Sequence, residues 1–359
     1  PDRARLERLA RGVNLSHWYS QHKGEYDEDH LSSYITPEDA ALIRSLGFTH
    51  VRLPVDPEVL FARGDPPVLR PAALDGLVER IGWLVAADLG VVVDLHPKEG
   101  FKKALADPEG VKALVTIWEV LAKRLGEATD PDWVFLEAVN EPEPLRGAEW
   151  QEVQGAALEA MRRGAPKHTL IAAGGSWSGA DQLVLLEPYS DGNVVYTFHW
   201  YDPFIFTHQG ATWGWEVMRD VAQVGWPIAP GEEGIWAERS GATPEAQGAI
   251  RGFIESGEMT EAAARKRLEK VDAWARDHGG LPIYVGEFGV FRKVSPEADR
   301  LRWLAFSRTE FEKRGWGWAL WDYSGGFAVA PRLEGVRRAD RAMVQALGLV
   351  AEEAEIQMP

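Results

Sequence analysis

Short apolar runs alternate with longer amphipathic patterns along most of this chain, and this alternation limits the folds that it can adopt. Eight runs are typical of β-strands, at residues 11–15, 50–55, 91–96, 134–140, 169–174, 194–200, 282–287 and 317–322. Helical patterns follow them, at residues 37–46, 72–88, 108–125, 148–163, 180–186, 260–278, 296–314 and 338–347. Strands joined through helices run parallel, and eight such units favour closure into a barrel. We therefore predict an α/β fold, a single (β/α)8 TIM barrel in which residues 1–359 form one domain.

An open, doubly wound parallel sheet is the competing architecture. A glycine-rich phosphate loop after the first strand would favour it, and neither GxGxxG nor GxxxxGK[ST] occurs in the sequence. The repeat is interrupted once, by a Trp-, Gly- and Pro-rich segment at about 202–259 that follows the sixth strand. We predict an irregular loop insertion there. In a barrel, such a loop would lie over the carboxyl-terminal mouth, where substrates bind.

Composition excludes several classes of function. The formal net charge is −16, and no cluster of Lys and Arg with interleaved aromatic residues offsets it, so nucleic acid is not an expected partner. No apolar run approaches the roughly 18 residues that cross a membrane, so we expect no membrane span. The sequence has no Cys, no HExxH motif and no other spaced His cluster. We therefore expect neither a thiolate nucleophile nor a metal site, and no cofactor.

Tryptophan is frequent in this chain, with 16 copies. Those on predicted helices are expected in the core: Trp83, Trp118, Trp274 and Trp303. Others follow strand-like runs or lie in Gly- and Pro-rich stretches: Trp18, Trp177, Trp200, Trp213, Trp215, Trp226 and Trp236. An exposed indole stacks well on a sugar ring, which is apolar on its faces and polar at its edges. Core packing is the simpler explanation for any one of these loop residues, but as a group they indicate carbohydrate binding, with Trp18, Trp177 and Trp213 as candidates.

Six predicted strands end in polar or aromatic residues. These ends are Arg52, Asp94-Leu95-His96, Asn140-Glu141, His199-Trp200-Tyr201, Glu287 and Trp321-Asp322-Tyr323. Taken singly, each fits a solvated loop or a structural role, but reactive groups of a βα barrel project from the carboxyl ends of several strands. Glu141 and Glu287 provide the two carboxylates that cleavage of a glycosidic bond requires. One protonates the leaving oxygen, and the other attacks the sugar carbon or activates water.

Glu137 is a further carboxylate on the fourth predicted strand. It has the same strand parity as Glu141, so its side chain either faces the barrel interior, where Arg52 is a suitable partner, or packs outward against a helix. The sequence leaves both placements open, and we do not include Glu137 in the predicted site.

The pattern resembles the retaining glycoside hydrolases of the (β/α)8 superfamily, and most closely family 5, the cellulase family. The resemblance covers residues 11 to about 330 and rests on Asn140-Glu141-Pro142 after one strand and Glu287 at the end of a later one. It implies that Glu141 is the general acid/base and Glu287 the nucleophile. It also implies a set of residues around the cleavage subsite: Arg52, His96, Asn140, His199, Tyr201 and Trp321.

The retaining mechanism adds expectations for the carboxylates. Their carboxyl groups should lie about 5 to 5.5 Å apart, too close for an inverting water. Arg52 and Tyr201 are the expected donors to Glu287. The pKa of Glu141 is expected to be raised in the free enzyme and to fall once Glu287 is bonded to the sugar.

The resemblance also implies roles for the neighbouring polar and aromatic groups. Asn140 would bind the 2-hydroxyl of the reacting sugar, a contact that strengthens as oxocarbenium character develops. His96 and His199 would position sugar hydroxyls or orient the carboxylates, and Trp321 would stack beneath the sugar.

We interpret the chain as a retaining endo-β-glycanase with a polysaccharide or oligosaccharide substrate, most simply a β-1,4-glucan. The resemblance leaves β-mannan, xyloglucan and β-1,3-glucan open as substrates. A non-catalytic glycan-binding barrel is an alternative of another class. A barrel enzyme for a small phosphorylated molecule would need a glycine-rich loop late in the chain, and Ser324-Gly325-Gly326 is the one hint of it.

Location and assembly are expectations of the same kind. The N-terminal stretch from Pro1 to Leu6 lacks the apolar core of a signal peptide, which leaves open a processed, exported chain and one that is never exported. The family resemblance implies an extracellular mature protein, and we expect a monomer.

Overall fold

The barrel predicted from the alternation is present. The computed structural model describes residues 1–143, 145–333, 335–350 and 355–356. Its barrel strands are β1 (Arg11–Asn14), β2 (His50–Val55), β3 (Gly90–Leu95), β4 (Val134–Glu137), β5 (Thr169–Ala173), β6 (Val194–Trp200), β7 (Ile283–Phe288) and β8 (Gly317–Leu320). Each pairs in parallel with its neighbours along the chain, and β1 pairs with β8, which closes the sheet. The predicted fold class is therefore confirmed. The final part of the predicted domain, 351–354 and 357–359, lies outside the described residues.

A helix follows each strand and covers the outside of the sheet. These helices are α1 (Pro37–Ser45), α2 (Pro71–Ala86), α3 (Pro108–Ala128), α4 (Gly147–Gly164), α5 (Ala180–Leu183), α6 (Glu261–Asp277), α7 (Glu297–Lys313) and α8 (Arg341–Ala346). The first three begin with Pro, which suits a first helical turn because its missing N–H would have no helical partner there. In α1 a capping box joins Thr36 and Asp39. The main apolar core lies between these helices and the strands.

Smaller elements lie outside the eight units. Short helices are Arg3–Arg8, Glu28–Ser33, Pro57–Leu60 and Glu99–Ala104. Short antiparallel pairings join Phe61–Ala62 to Val68–Leu69, Arg332–Leu333 to Val336–Arg338, and the latter to Glu355–Ile356. Among the described residues, no helix is both long and apolar enough to cross a membrane.

The barrel interior changes from apolar at its floor to charged at its mouth. A small apolar cluster fills the floor: Leu9, Val92, Phe135, Ile171, Val195, Tyr284 and Ala319. Side chains alternate between the faces of a strand, so the next interior positions of β3 and β4 are Asp94 and Glu137, both fully buried. The ionic groups of the interior are therefore concentrated toward the mouth. Because buried charges need partners, we expect these groups to pair with one another.

A bulge in β7 turns Glu287 toward this interior. The pairing of β7 with β6 is regular as far as Val285, but His199 of β6 then pairs with Glu287, so Gly286 is skipped. Tyr284 faces inward, and regular alternation would send Glu287 to the outer face; the extra residue reverses this. A Cβ on Gly286 would lie 2.9 Å from a neighbouring hydroxyl oxygen, so the bulge requires glycine.

The expectation of an irregular segment at 202–259 is wrong. It contains the helices Phe204–Thr207, Glu233–Ser240 and Pro244–Glu255 and the 3-10 helix Glu216–Asp220. The longest of them has the usual causes of a helix. Thr243 accepts a hydrogen bond from the N–H of Ala246, and Ala246, Ile250 and Ile254 form a buried stripe at four-residue spacing. The Trp, Gly and Pro content of the segment obscured this short amphipathic pattern.

Candidate active site

Arg52 is fully buried on β2 and lies at the centre of a hydrogen-bonded cluster. Its Nε and Nη2 each donate to an oxygen of Glu137 at 2.8 Å. Nη2 also lies 3.0 Å from Asp94 Oδ2, and Nη1 donates to Glu287 Oε1 at 2.8 Å. Burial alone would lower the pKa of Arg52, but the three carboxylates raise it well above its usual value. The guanidinium is therefore a permanent cation at the barrel mouth.

Both carboxylate oxygens of Glu287 accept a hydrogen bond. Arg52 donates to Oε1, and the Tyr201 hydroxyl donates to Oε2 at 2.8 Å. Burial and the nearby carboxylates raise the pKa of Tyr201 well above its usual value, so this residue remains an O–H donor. Two fixed donors hold the Glu287 carboxylate in one orientation.

Glu141 faces Glu287 across the site, with His199 between them. His199 Nδ1 lies 2.8 Å from Glu141 Oε1 and 3.5 Å from Glu287 Oε2. An oxygen of each carboxylate and this nitrogen all lie within 4.8 Å of one another. This separation agrees with the roughly 5 Å of a retaining glycosidase and leaves no room for an inverting water. Glu141 has a φ of 45°, a strained conformation that in proteins concentrates at functional sites.

The pKa of Glu141 is lowered in this structure, whereas the sequence led us to expect that it is raised. Burial would raise the pKa of Glu141, but the hydrogen bond and charge of His199 outweigh it and lower that pKa to about 2. Burial would lower the pKa of His199, but the charge of Glu287 and the hydrogen bond to Glu141 raise it overall. The expectation of a raised pKa is therefore wrong, because His199 favours the ionised form of Glu141.

His96, Asn140 and Trp321 form the adjoining wall of the site. Burial lowers the pKa of His96 to about 3, so its ring is neutral. Its Nδ1 donates to Asp94 Oδ2 at 2.8 Å, which leaves Nε2 to accept from the Asn140 amide at 3.2 Å. Asn140 Oδ1 in turn accepts from Arg52 at 3.0 Å, so its amide orientation is fixed. The Trp321 indole stacks parallel to the His96 ring, with centroids 5.8 Å apart.

Comparison with known proteins identifies the family. Residues 11–326 match the family described as Cellulase (glycosyl hydrolase family 5). The chain belongs to glycosyl hydrolase family 5. It is 29% identical over 321 residues to Endoglucanase C of Acetivibrio thermocellus, covering 87% of this chain and 90% of that protein. It is 25% identical over 361 residues to Endoglucanase 3 of Fibrobacter succinogenes, covering 94% of this chain but only 53% of that protein, or about half its length.

Similarity to solved structures agrees with this family assignment. Cel5A of Thermotoga maritima in complex with cellobiose superposes with a TM-score of 0.75 at 26% identity, over 96% of this chain and 98% of that one. The same protein in complex with mannotriose gives the same TM-score, 0.75, and the same identity, 26%. This family 5 chain is therefore a glycoside hydrolase with a (β/α)8 barrel, and carbohydrate is its class of substrate.

The three loop tryptophans predicted to bind substrate do not share one environment. Trp18 is fully buried, and its indole N–H donates to the carbonyl of Leu31 at 2.8 Å, so the prediction of a stacking surface there is wrong. Trp200 and Trp226 are also buried in the core. Trp177 and Trp213 are exposed, by 54% and 48%, and remain candidates. Position in a loop did not distinguish them, because loops after β1 and β6 also contribute to the core.

Trp213 belongs to an aromatic wall on the β6, β7 and β8 side of the mouth. Its ring centroid lies 4.9 Å from that of Phe291 and 6.4 Å from that of Phe327. Phe327 lies 6.2 Å from Tyr201, which donates to Glu287. The exposed indole is therefore joined to the site by an unbroken series of ring contacts.

Three residues of the cluster were not assigned to the site from the sequence. Glu137 faces the interior, the first of its two open placements, and binds Arg52. Asp94 lies two residues before His96, so strand parity already placed both on one face. Asn14, at the end of β1, accepts from Arg52 at 3.0 Å and donates to the carbonyl of Gly286; its place at a strand end is the sequence signal that could have identified it.

The two reactive carboxylates and the histidine between them are also the groups that could hold a metal ion. Within the described ranges, the ligand atoms of Glu141, His199 and Glu287 form the cluster with suitable spacing. The Arg52 guanidinium, 2.8 Å from Glu287, places a positive charge beside it and opposes a second cation. These residues are better suited to proton transfer and nucleophilic attack on an uncharged sugar.

Proposed function

We propose that this family 5 chain is a retaining endo-β-1,4-glucanase that acts by double displacement. The observation that carries the proposal is the short separation of the two carboxylates, since one oxygen of Glu141 and one of Glu287 lie within 4.8 Å of each other. Each also has its own set of partners. Arg52 and Tyr201 donate to Glu287, whereas Glu141 shares a proton with His199.

In the first step, Glu287 attacks the anomeric carbon as the bond to the leaving oxygen breaks. Glu141 gives its proton to that oxygen, having received it from His199 through their hydrogen bond of 2.8 Å. The products are a glycosyl ester of Glu287 and a shortened chain with a free hydroxyl. Asn140 would bind the 2-hydroxyl of the reacting sugar, and Trp321 would support the ring from below.

In the second step, Glu141 takes a proton from water, which attacks the same carbon and releases Glu287. Two inversions restore the original configuration, so the new reducing end is first released as the β-anomer. Once Glu287 is esterified, its negative charge no longer raises the pKa of His199, which favours the deprotonated pair, a neutral imidazole beside an ionised Glu141, that is needed to accept a proton.

The substrate is assigned through the relatives. Endoglucanase C and Endoglucanase 3 carry names for glucan cleavage, and Cel5A of Thermotoga maritima was crystallised with cellobiose. The complex of that same protein with mannotriose favours β-mannan as the second candidate. A substrate too large to enter a cell fits an exported enzyme, and we include an extracellular location in the proposal.

The decisive experiment measures reducing ends released from soluble β-1,4-glucan and from β-mannan, with the anomer first formed followed by proton NMR. We expect release from the glucan with the β-anomer first. Initial formation of the α-anomer would contradict the retaining mechanism, and preference for mannan would change the assigned substrate. Binding without release of reducing ends would identify a non-catalytic glycan-binding barrel.

The same assay tests the two carboxylates. Glu141→Gln and Glu287→Gln should fold like the wild type, as judged by circular dichroism, and lose activity by about 10²–10⁴-fold, because each removes a group that reacts with substrate. Turnover near the wild-type value in either variant would refute its assigned role. Glu119→Gln, an exposed carboxylate on α3, is the matched control and should retain full activity.

A further inference from the structure

Thr207 places a hydroxyl in a fully buried position close to the site. It is the last residue of the short helix Phe204–Thr207, the first helix of the segment 202–259, and its neighbours Ile205 and Phe206 are buried apolar residues. A buried hydroxyl costs free energy unless it is hydrogen-bonded, whereas Val would fill nearly the same volume without that cost. The partners of this hydroxyl therefore indicate what it contributes.

The side chain of Thr207 holds the backbone of Tyr201. Its hydroxyl donates to the Tyr201 carbonyl at 2.6 Å. Tyr201 directly follows β6, whose pairing with β7 ends at Trp200 and Phe288, so the sheet does not hold this carbonyl. The phenol of Tyr201 donates to Glu287 Oε2 at 2.8 Å. One hydrogen bond therefore joins the helix that contains Thr207 to the residue that orients the nucleophile.

The main chain of Thr207 holds the segment that follows the nucleophile. Its carbonyl accepts from the N–H of Phe291, in the loop after β7, at 2.8 Å. Glu287 lies near the end of that strand. Thr207 thus binds Tyr201 through its side chain and the segment beyond Glu287 through its backbone. Both sides of the contact between Tyr201 and Glu287 are held by one residue.

His208 supports the same contact from its other side. Its ring packs edge-on against the Tyr201 ring, with centroids 4.8 Å apart, and stacks on Phe204 at 4.0 Å. Burial lowers the pKa of His208 to about 3, so the ring is neutral. Because Thr207 gives its hydroxyl hydrogen to the Tyr201 carbonyl, Nδ1 of His208, 3.1 Å from Thr207 Oγ1, is the donor to that oxygen. A chain of donors therefore runs from His208 through Thr207 to Tyr201, and such chains are cooperative.

We propose that Thr207 is a positioning residue for the nucleophile, which it orients through Tyr201. Its hydroxyl fixes the Tyr201 backbone at the place from which the phenol reaches Glu287 Oε2. The segment 202–259 thereby takes part in the reaction without contact to the reacting atoms. A displacement of about 1 Å at reacting groups costs roughly 10²-fold in rate, and Thr207 acts one residue removed from them, so its effect should be smaller. This inference rests on the proposed retaining mechanism.

The test isolates the attack of Glu287. Its probe is a dinitrophenyl 2-deoxy-2-fluorocellobioside, whose fluorine destabilises positive charge on the sugar and so slows hydrolysis of the ester. An oxygen of Glu287 bonds to the anomeric carbon, and the bond to dinitrophenolate breaks with its electron pair, so Glu141 need not supply a proton. The released phenolate gives the rate constant per working site and, from its amplitude, the number of working sites. A defect in folding alone lowers the amplitude and leaves the rate constant unchanged.

Three variants test the hydroxyl of Thr207. Thr207→Val removes it, and we expect the rate constant to fall about 10-fold. Thr207→Ser retains a hydroxyl and should stay within about twofold of the wild type. Thr309→Val is the matched control, because the Thr309 hydroxyl donates to the Ala305 carbonyl at 2.7 Å within α7, and its rate constant should not change.

A double-mutant cycle shows whether Thr207 acts through Tyr201. In the background of Tyr201→Phe, Thr207→Val should lower the rate constant by less than about twofold, because the contact through which it acts is already lost. An equal factor in both backgrounds would overturn the inference. A lower amplitude with an unchanged rate constant in Thr207→Val would overturn it too, since Thr207 would then serve folding alone.

Two further outcomes are also decisive. If Thr207→Val has no working sites, His208→Phe replaces it, because this change keeps a ring against Tyr201 and removes the donor to Thr207. A rate constant about threefold lower supports the inference, and an unchanged one overturns it. If peptide mass spectrometry finds no ester at Glu287 in the wild type, the retaining mechanism fails and this inference fails with it. If only the matching mannobioside forms the ester, the substrate changes, and the same variants with that probe decide the role of Thr207.

Discussion

His199 lies between the two reactive carboxylates, 2.8 Å from Glu141 and 3.5 Å from Glu287. The charge of Glu287 and the hydrogen bond to Glu141 raise the pKa of His199, and the same hydrogen bond lowers the pKa of Glu141 to about 2. A proton held by this pair therefore lies on the imidazole rather than on the carboxylate. One residue on β6 thus influences whether Glu141, in the loop after β4, has a proton to give.

The pH dependence of activity should reveal this sharing. As pH rises through the raised pKa of His199, the pair loses its proton, so kcat/KM for a glycan should fall on the alkaline side. In His199→Gln the proton must reside on Glu141 alone. The alkaline limb of the pH–rate profile should then move to lower pH, with a loss of about 10²-fold at pH 7.

His278→Gln is the control for this profile. That histidine lies at the end of α6, where its ring contacts the carbonyl of Trp274 at 2.8 Å, and its replacement should leave both limbs in place. An alkaline limb that stays unchanged in His199→Gln would refute the shared proton. A nitrophenyl cellobioside adds a check. Its phenol leaving group needs little protonation, so His199→Gln should lose much less activity on this substrate than on a glycan.

At the scale of the strand, β2, β3 and β4 each supply an inward charge at nearly the same height. Arg52 meets Asp94 on the neighbouring strand and Glu137 on the strand beyond it, and all three are fully buried. The bulge of β7 adds Glu287 to this layer. The charged layer therefore depends on strand register, because a shift of one residue would turn these side chains outward.

Removal of one buried partner should be costly. Glu137→Gln retains the volume of the side chain but leaves Arg52 without its bidentate partner, so the free energy of unfolding should fall by about 3 kcal/mol. The estimate takes the lower end of the range, because Asp94 and Glu287 still compensate the guanidinium. Denaturant titration followed by tryptophan fluorescence measures the change.

The control for this element is an ion pair of similar length on the surface. Glu119 and Arg163 are 2.8 Å apart and both about half exposed. Glu119→Gln should lower the free energy of unfolding by about 0–1 kcal/mol, since water screens that pair. Equal effects of the two substitutions would contradict the importance of burial for the charged layer.

The whole molecule carries a net charge of −16, and its sugar substrate is neutral. Copies of such a chain repel one another because they carry the same net charge. We therefore expect a monomer. Sedimentation equilibrium at physiological salt should give the mass of one chain, 39.9 kDa, and a mass twice as large would contradict this expectation.

The sequence predicted much of the molecule at this largest scale. Alternation of apolar runs with amphipathic patterns determined the eight parallel units, because a chain with that pattern buries its apolar surface best with helices outside a closed sheet. It also placed Glu141 and Glu287 at strand ends and Arg52 among them. The prediction of an irregular insertion was wrong. The helix that Thr243 caps, with its buried stripe beginning at Ala246, is short, and the Trp, Gly and Pro content of the segment obscured its pattern.

The tertiary structure alone decided where individual side chains point and which protons they hold. The bulge at Gly286 reverses the face of Glu287, and only the neighbouring strand shows that a residue is skipped. Trp18 and Trp177 occupy similar loops, yet one is buried and the other exposed, because burial depends on what packs against each. The low pKa of Glu141 arises from His199, 58 residues away in the chain. The local sequence pattern determines the helices and strands. Contacts between residues distant in the chain determine the charge, the exposure and the direction of each reactive side chain.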